Sequence, residues 1–297
     1  MTPGPRSLIV GDFRITLIRV GVYYWDAGAI FGVVPKTLWS AKIDCDELNR
    51  IPLAFNCYLI ETGERTILLD TAAGDKMDPR ARERMKLAPE PVSLPAAVAA
   101  QGVDPERIDV VVNTHLHWDH CGGNTELTAA GPRPAFPRAV YYASRGELEH
   151  ARERHIRDRV SYIPENYEPL IESGRMRLVD GETEIAPGVR LLPAPGHTRD
   201  HSIVAASSNG ATFCFLSDLA PTSAHLAPTW VAAFDLYPLV SIETKLHWLR
   251  TAARESWICG FGHDTAAGFA RIRAAEGKFE IAETIEPPLG AAEPVSR

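Results

Sequence analysis

The five cysteines, Cys45, Cys57, Cys121, Cys214 and Cys259, are odd in number and widely scattered, and no two of them form a CxxC pair. That argues against a zinc knuckle, a thioredoxin-like redox motif or a disulfide framework, and reduced thiols in a cytoplasm are the expectation. Positive charge is also short. Lys and Arg total 31 against 38 Asp and Glu, a net charge of −7, so there is no basic footprint for gripping a phosphate backbone and no nucleic-acid partner is expected. No apolar run approaches membrane-spanning length, and Met1-Thr2-Pro3-Gly4-Pro5-Arg6 leads into a mixed segment rather than the apolar stretch of a secretion signal. Neither membrane insertion nor export is expected. Large apolar residues are not lacking: 45% hydrophobic and 23% charged residues are ordinary values for a folded globular chain. With no repeat, low-complexity tract or linker in view, one domain over 1–297 is expected, with a tail that frays from about Glu286, where Pro287, Pro288 and Pro294 follow.

The pattern alternates strands and helices. Phe13–Val20 alternates as a strand should, and Asn56–Ile60 and Thr66–Asp70 around Gly63 read as a hairpin. Ser93 and Pro95 open a helix that runs through Ala100 and leaves at Gly102. Ile108–Thr114 is β-branched and apolar enough for a strand buried on both faces. Further strands are expected at Ala139–Tyr142, Met176–Val179, Val189–Leu192, Ser202–Ala205 and Thr212–Leu216. Helices are expected at Gly146–Val160 and Ser241–Glu255, the latter with Ile242, Leu246 and Leu249 on its inner face. Between Trp25 and Arg50 lies a stretch rich in Gly, Pro and aromatics without a period, an excursion of the kind that overhangs a pocket. The basic runs Arg80–Arg84 and Arg152–Arg159 are interleaved with acids, as on solvated helix faces.

Thr114-His115-Leu116-His117-Trp118-Asp119-His120-Cys121-Gly122-Gly123 places four metal-binding side chains in six positions directly after the buried strand. A strand end is rigid, and a turn leaving it fans these side chains toward one point. Gly122 and Gly123 let the backbone pass close by. Packing gives little reason for such a concentration, because each buried polar group would need its own partner. His197 in Pro195-Gly196-His197-Thr198, Asp218 after Phe215-Leu216-Ser217, and His263 in Gly260-Phe261-Gly262-His263 have matching chemistry.

In this order the residues resemble the ligand series of the metallo-β-lactamase superfamily, and the resemblance spans nearly the whole chain. It implies an α/β fold, a four-layer αββα sandwich with the site at one edge. It also implies two divalent metal ions, one held by His115, His117 and His197, the other by Asp119, His120 and His263, with Asp218 bridging. Nitrogen-rich ligands with carboxylates suit zinc, while iron or manganese also accept them. Leu68-Leu69-Asp70-Thr71-Ala72-Ala73-Gly74 resembles an early turn of the family, with Ala72 where Gly is usual, and makes Asp70 the partner that orients a ligand imidazole. Two cations sharing a water lower its pKa toward about 7 and supply a bridging hydroxide as nucleophile, and Asp119 is the expected catalytic residue that passes a proton to the leaving group.

The excursion, with Phe31 and Trp39 as expected substrate-binding residues, is similar to that of the lactonase-like branch, which includes quorum-quenching N-acyl homoserine lactonases and methyl parathion hydrolases. The segment Asn166–Leu170 with Gly174 also resembles that branch. Compact lactonases carry a Tyr three positions after the bridging Asp. Here Pro221 stands there, leaving Tyr23, Tyr24, Tyr167 or Tyr237 to reach the site from elsewhere. The expected activity is opening of a lactone or cleavage of a related ester on a small-molecule substrate, with a homodimer as the assembly to test. A glyoxalase II type thioester hydrolase and a phosphotriesterase are the alternatives within the superfamily. An RNA-processing phosphodiesterase fits poorly with the acidic balance. A catalytically silent metal-binding sensor is the alternative of a different class. His150, His155, His201, His225 and His247 are read as surface or supporting residues, and Cys121 as a small buried filler.

Overall fold

The alternation of apolar side chains along the strands dictates the layering. In Arg50–Glu61, Thr66–Leu69 and Val110–Val112, the residues Tyr58, Ile60, Ile67, Leu69, Val110 and Val112 face one way, while Leu59, Leu68 and Val111 face the other. A strand with two apolar faces must be covered on both. The computed structural model of the chain, which describes residues 6–87 and 92–286, meets that demand with two stacked sheets and helices outside each. The expected frayed tail falls, beyond Glu286, outside the described residues.

The first sheet runs Arg6–Val10, Phe13–Asp26, Arg50–Glu61, Thr66–Leu69, Val110–Val112, Val140–Ser144, Met176–Val179 in spatial order. Its first four strands are antiparallel neighbours and its last four parallel ones. The second sheet runs Thr183–Ala186, Val189–Pro193, Ser202–Ser208, Ala211–Phe215, Ile258–Gly260, Phe269–Ala275, Lys278–Thr284. It is antiparallel except where Ala211–Phe215 meets Ile258–Gly260. Phe13, Ile15 and Leu17 from the first sheet pack with Val204, Phe213, Phe215 and Phe269 from the second in the central core. A second core lies on the outer face of the first sheet, where Leu94, Val98, Leu148 and Ala151 come from helices Leu94–Ala99 and Arg145–Glu153. A third lies where helix Pro238–Arg254 sets Leu249 and Ala252 against Leu192, Ile203 and Cys259. The result is the αββα order expected from the sequence.

Several boundaries differ from expectation for identifiable reasons. Phe13–Asp26 is longer than Phe13–Val20 because a bulge between Arg19 and Gly21 lets the strand turn and keep pairing as far as Asp26↔Arg50. The excursion therefore starts with ordered structure. Asp26 caps helix Ala27–Phe31 by accepting from the Ala29 amide at 3.2 Å, and Lys36–Trp39 follows. The helix expected over 146–160 ends at Glu153, where Arg154 takes a left-handed φ of 53°, so only the start of the second basic run is helical. The inner face of Pro238–Arg254 carries Ser241, Lys245, Leu249 and Ala252, with Ile242 and Leu246 only half-buried. All five cysteines are unpaired.

Candidate metal centre

Five strand ends deliver the site. In the first sheet Thr66–Leu69 leads into Asp70 and Val110–Val112 into Thr114 and His115. In the second, Val189–Pro193 leads toward His197, Ala211–Phe215 toward Asp218 and Ile258–Gly260 toward His263. The single helical turn Trp118–Cys121 then swings Asp119 and His120 back over the same point. A methyl group on Gly122 would stand 2.1 Å from the Ala73 carbonyl oxygen, so this turn lies against the Asp70 turn only because a glycine is there. Ala72 holds a left-handed φ of 56° where glycine is the usual residue, at a cost of about 1 kcal/mol, and the Asp70 turn forms nonetheless.

The seven expected ligands converge. His115, His117 and His197 form one group with ligand atoms within 4.8 Å of one another; Asp119, His120 and His263 form another; and His115, His120 and Asp218 overlap both. Asp218 lies between them, with Oδ2 3.3 Å from His197 Nε2, and Oδ1 3.3 Å from His120 Nε2 and 3.1 Å from His263 Nε2. Ring nitrogens face each other at 3.0 Å between His197 and His117 and at 3.2 Å between His263 and His120. Asp119 Oδ2 stands 3.7 Å from His263 Nε2.

The outward ring nitrogens are anchored. Asp70 accepts from His120 Nδ1 at 2.8 Å and from the Thr114 amide and hydroxyl at 2.8 and 2.9 Å. Asp235 accepts from His197 Nδ1 at 2.9 Å and from the Ser241 hydroxyl at 2.6 Å, and the Ala54 carbonyl accepts from His263 Nδ1 at 2.9 Å. Each of these bonds places the proton on Nδ1 and turns the Nε2 lone pair inward. Asp235 and the Ala54 carbonyl were not legible in the sequence.

These side chains fit divalent cations. His115 Nε2 and His117 Nε2 are buried with no hydrogen-bond partner, a costly state for a closed polar cluster. Burial, reinforced by the neighbouring imidazoles, holds His115 and His117 well below the usual histidine range, which is the neutral form a metal needs. Burial opposes charge on His120 too, yet Asp218, Asp119 and Asp70 raise it well above that range, and Asp218 likewise raises His197 and His263. Asp218 itself, despite burial, is held well below the carboxylate range by His120, His263 and His197. Protons crowded around one carboxylate are what cations displace on binding.

A cavity of about 590 Å³ opens onto this cluster. Its walls include Trp25, Ile30, Met77, Met85, Trp118, Val160, Ile163 and Phe234, and its floor His117, Asp119, His197, Asp218 and His263. Phe31 and Trp39, expected to bind substrate, do not line it. Both are buried, stacked on each other at 5.4 Å, with Phe31 also stacked on His225 at 5.0 Å. They brace the excursion from behind, and the neighbouring Ala29 and Ile30 reach the cavity instead. Of the four tyrosines, Tyr23 alone lines it; its hydroxyl stands 3.4 Å from His263 Nδ1, and burial beside Asp119 and Asp218 pushes it well above the usual tyrosine range. Phe55 stacks on the Tyr23 ring at 4.4 Å. Arg84 and Arg157, from the two basic runs, are exposed at the rim, and Arg157 donates to the Ala233 carbonyl at 2.8 Å. His201 is buried with Nε2 3.3 Å from the Asp218 amide, and His150 pairs with Asp158 at 2.7 Å.

Lys245 is buried beneath the segment that carries Asp235. Its ammonium donates to the Trp230 carbonyl at 2.7 Å, and burial lowers it to about 8. A folded-state value below the unfolded one means that the unfolded chain binds more protons between pH 8 and 10.5. The stability contributed by this group therefore rises with pH across that window, by about 3 kcal/mol. Denaturant titrations at pH 7.5 and 10 are expected to show Lys245→Met losing that rise relative to the unaltered protein; identical pH slopes for the two would contradict it.

Fold and site together give a layered sandwich with a candidate metal centre at the floor of an apolar cavity, and comparison with known proteins agrees. Residues 51–263 match the family model described as the metallo-beta-lactamase superfamily, and the chain belongs to that superfamily. It is 28% identical over 222 residues to an N-acyl homoserine lactonase from Bacillus sp., covering 70% of this chain and 80% of that protein. It is 26% identical over 281 residues to the N-acyl homoserine lactonase AiiB of Agrobacterium fabrum, covering 89% and 96%. Among solved structures, a probable metal-dependent hydrolase from Staphylococcus aureus superposes with a TM-score of 0.85 at 28% identity, covering 94% of this chain and all of that one. The dizinc quorum-quenching lactonase AidC, solved with a product, shares the fold at a TM-score of 0.77 and 19% identity, covering 94% and 97%. The chain is a metal-dependent hydrolase. Among its described residues no helix is long and apolar enough to cross a membrane.

Proposed function

We propose that this protein is a binuclear, zinc-dependent cytoplasmic hydrolase that opens a lactone or cleaves a closely related ester. The observation that carries the reading is the sharing of Asp218 between two histidine groups at the floor of an apolar cavity. Two cations bound there supply Lewis acidity and bring the pKa of water toward about 7. The protein's own groups do the rest. Asp70, Asp235 and the Ala54 carbonyl keep the imidazoles turned inward, so no reorganisation is needed when substrate arrives. Trp25, Met85, Trp118 and Phe234 exclude water and hold an apolar body. Asp119, the least buried member of the cluster with 15% of its side chain accessible, would take the proton given up by the attacking water and pass it to the departing alkoxide. The Tyr23 hydroxyl supplies the donor that Pro221 cannot. The names of the relatives favour a lactone over a thioester or phosphotriester.

The test is a hydrolysis panel of acyl homoserine lactones, aryl esters, phosphotriesters and glutathione thioesters on metal-analysed protein. The highest kcat/KM is expected on a lactone. Preference for a glutathione thioester or a phosphotriester would move the protein to another branch, and bound metal without turnover on any substrate would make it a sensor.

A further inference from the structure

One buried carboxylate outside the ligand set touches both peptide segments that carry the first histidine group. Glu147, on helix Arg145–Glu153, is 1% exposed. Its Oε2 accepts from the Leu116 amide at 3.2 Å, and its Oε1 accepts from the Thr198 hydroxyl. Leu116 lies between His115 and His117, and Thr198 directly follows His197. The strand-end loop and the 195–198 loop come from different sheets, so nothing in either sheet's own pairing sets their separation. Helix Arg145–Glu153 belongs to the outer layer and packs Leu148 and Ala151 into the core beneath it, which makes it a fixed reference for both loops. Asp70 has the matching position on the other side, where it ties His120 to Thr114.

We propose that Glu147 is a positioning residue that sets the spacing of His115, His117 and His197, and so tunes the affinity of one cation independently of the other. The proposal rests on the reading of this cluster as a two-cation centre. Unlike Asp70, Glu147 touches no imidazole; it acts through the backbone of one loop and the hydroxyl of the other. A glutamine in its place keeps the shape but has one oxygen for two donors, and its amide hydrogens face the Leu116 N–H or the Thr198 hydroxyl. Thr198→Val removes one arm and leaves the carboxylate on Leu116.

The experiment is stepwise cation binding to metal-stripped full-length protein, followed by chelator competition with Zn2+ and by the absorption spectrum with Co2+, alongside the melting temperature of the stripped protein. For Glu147→Gln one binding step is expected to weaken ~10–100-fold while the other stays within about threefold. The Co2+ band of the weakened step should change, and the stripped protein should melt close to the unaltered one. Thr198→Val is expected to shift the same step in the same direction by less, and it carries the test alone if Glu147→Gln does not fold. Equal weakening of both steps, or no change in either, would overturn the proposal while leaving the metal centre intact. Failure of the unaltered protein to take up any cation would sink the metal centre and this proposal together.

Discussion

Asp218→Ala is expected to abolish high-affinity binding of both cations and, with it, turnover. The carboxylate faces His120, His197 and His263 within 3.3 Å and is the one anion common to them. Removing one partner from a buried charged cluster costs about 3–5 kcal/mol, which at 1.36 kcal/mol per decade is ~10²–10⁴-fold in affinity. The loss should appear as metal content below one equivalent per chain after gel filtration, with hydrolysis at the blank rate. Retention of two equivalents would show that Asp218 is not shared between the two groups. The histidines left behind carry raised pKa values only because of nearby carboxylates, so the variant should also release fewer protons when cations are added.

Asp119→Asn separates binding from chemistry. Asparagine keeps a carbonyl oxygen toward His120 and His263 but cannot carry the proton, so metal content is expected to stay near that of the unaltered protein while kcat falls. General acid catalysis contributes ~10²–10⁴-fold where the leaving group is a poor one. The loss should therefore be large on a lactone, whose leaving alkoxide needs a proton, and much smaller on an aryl ester, whose phenolate does not. Full metal loading with full lactone turnover would remove Asp119 from the proton path. An equal loss on both substrates would point to a binding role instead.

Much of this site was legible because its chemistry is local in sequence. His115, His117, Asp119 and His120 follow one buried strand within six positions, and strand ends place His197, Asp218 and His263 opposite them. The αββα layering was implied by the family resemblance; the residues themselves showed only that a strand such as Val110–Val112, apolar on both faces, must be covered on both. Asp235 and Glu147 were not legible, since a lone carboxylate 38 residues after His197 or 31 after Leu116 has no pattern to mark it; only the folded loops bring it into contact. Phe31 and Trp39 were placed in the pocket because an aperiodic stretch does not reveal which side its aromatics face. Helix Ala27–Phe31 turns Phe31 inward onto His225 and leaves Ile30 to the cavity. On helix Pro238–Arg254 the expected face of Ile242, Leu246 and Leu249 starts one residue off, because Ser241 and Lys245 are buried while Ile242 and Leu246 are only half-buried.

The most direct test of the account is the cation content of purified protein, reconstituted with Zn2+ and freed of excess, measured together with its hydrolytic activity before and after stripping by a chelator. The account predicts about two equivalents per chain, loss of activity on stripping, and recovery as the second equivalent returns. A protein that binds none or only one, or that hydrolyses its best substrate equally well when stripped, would contradict it.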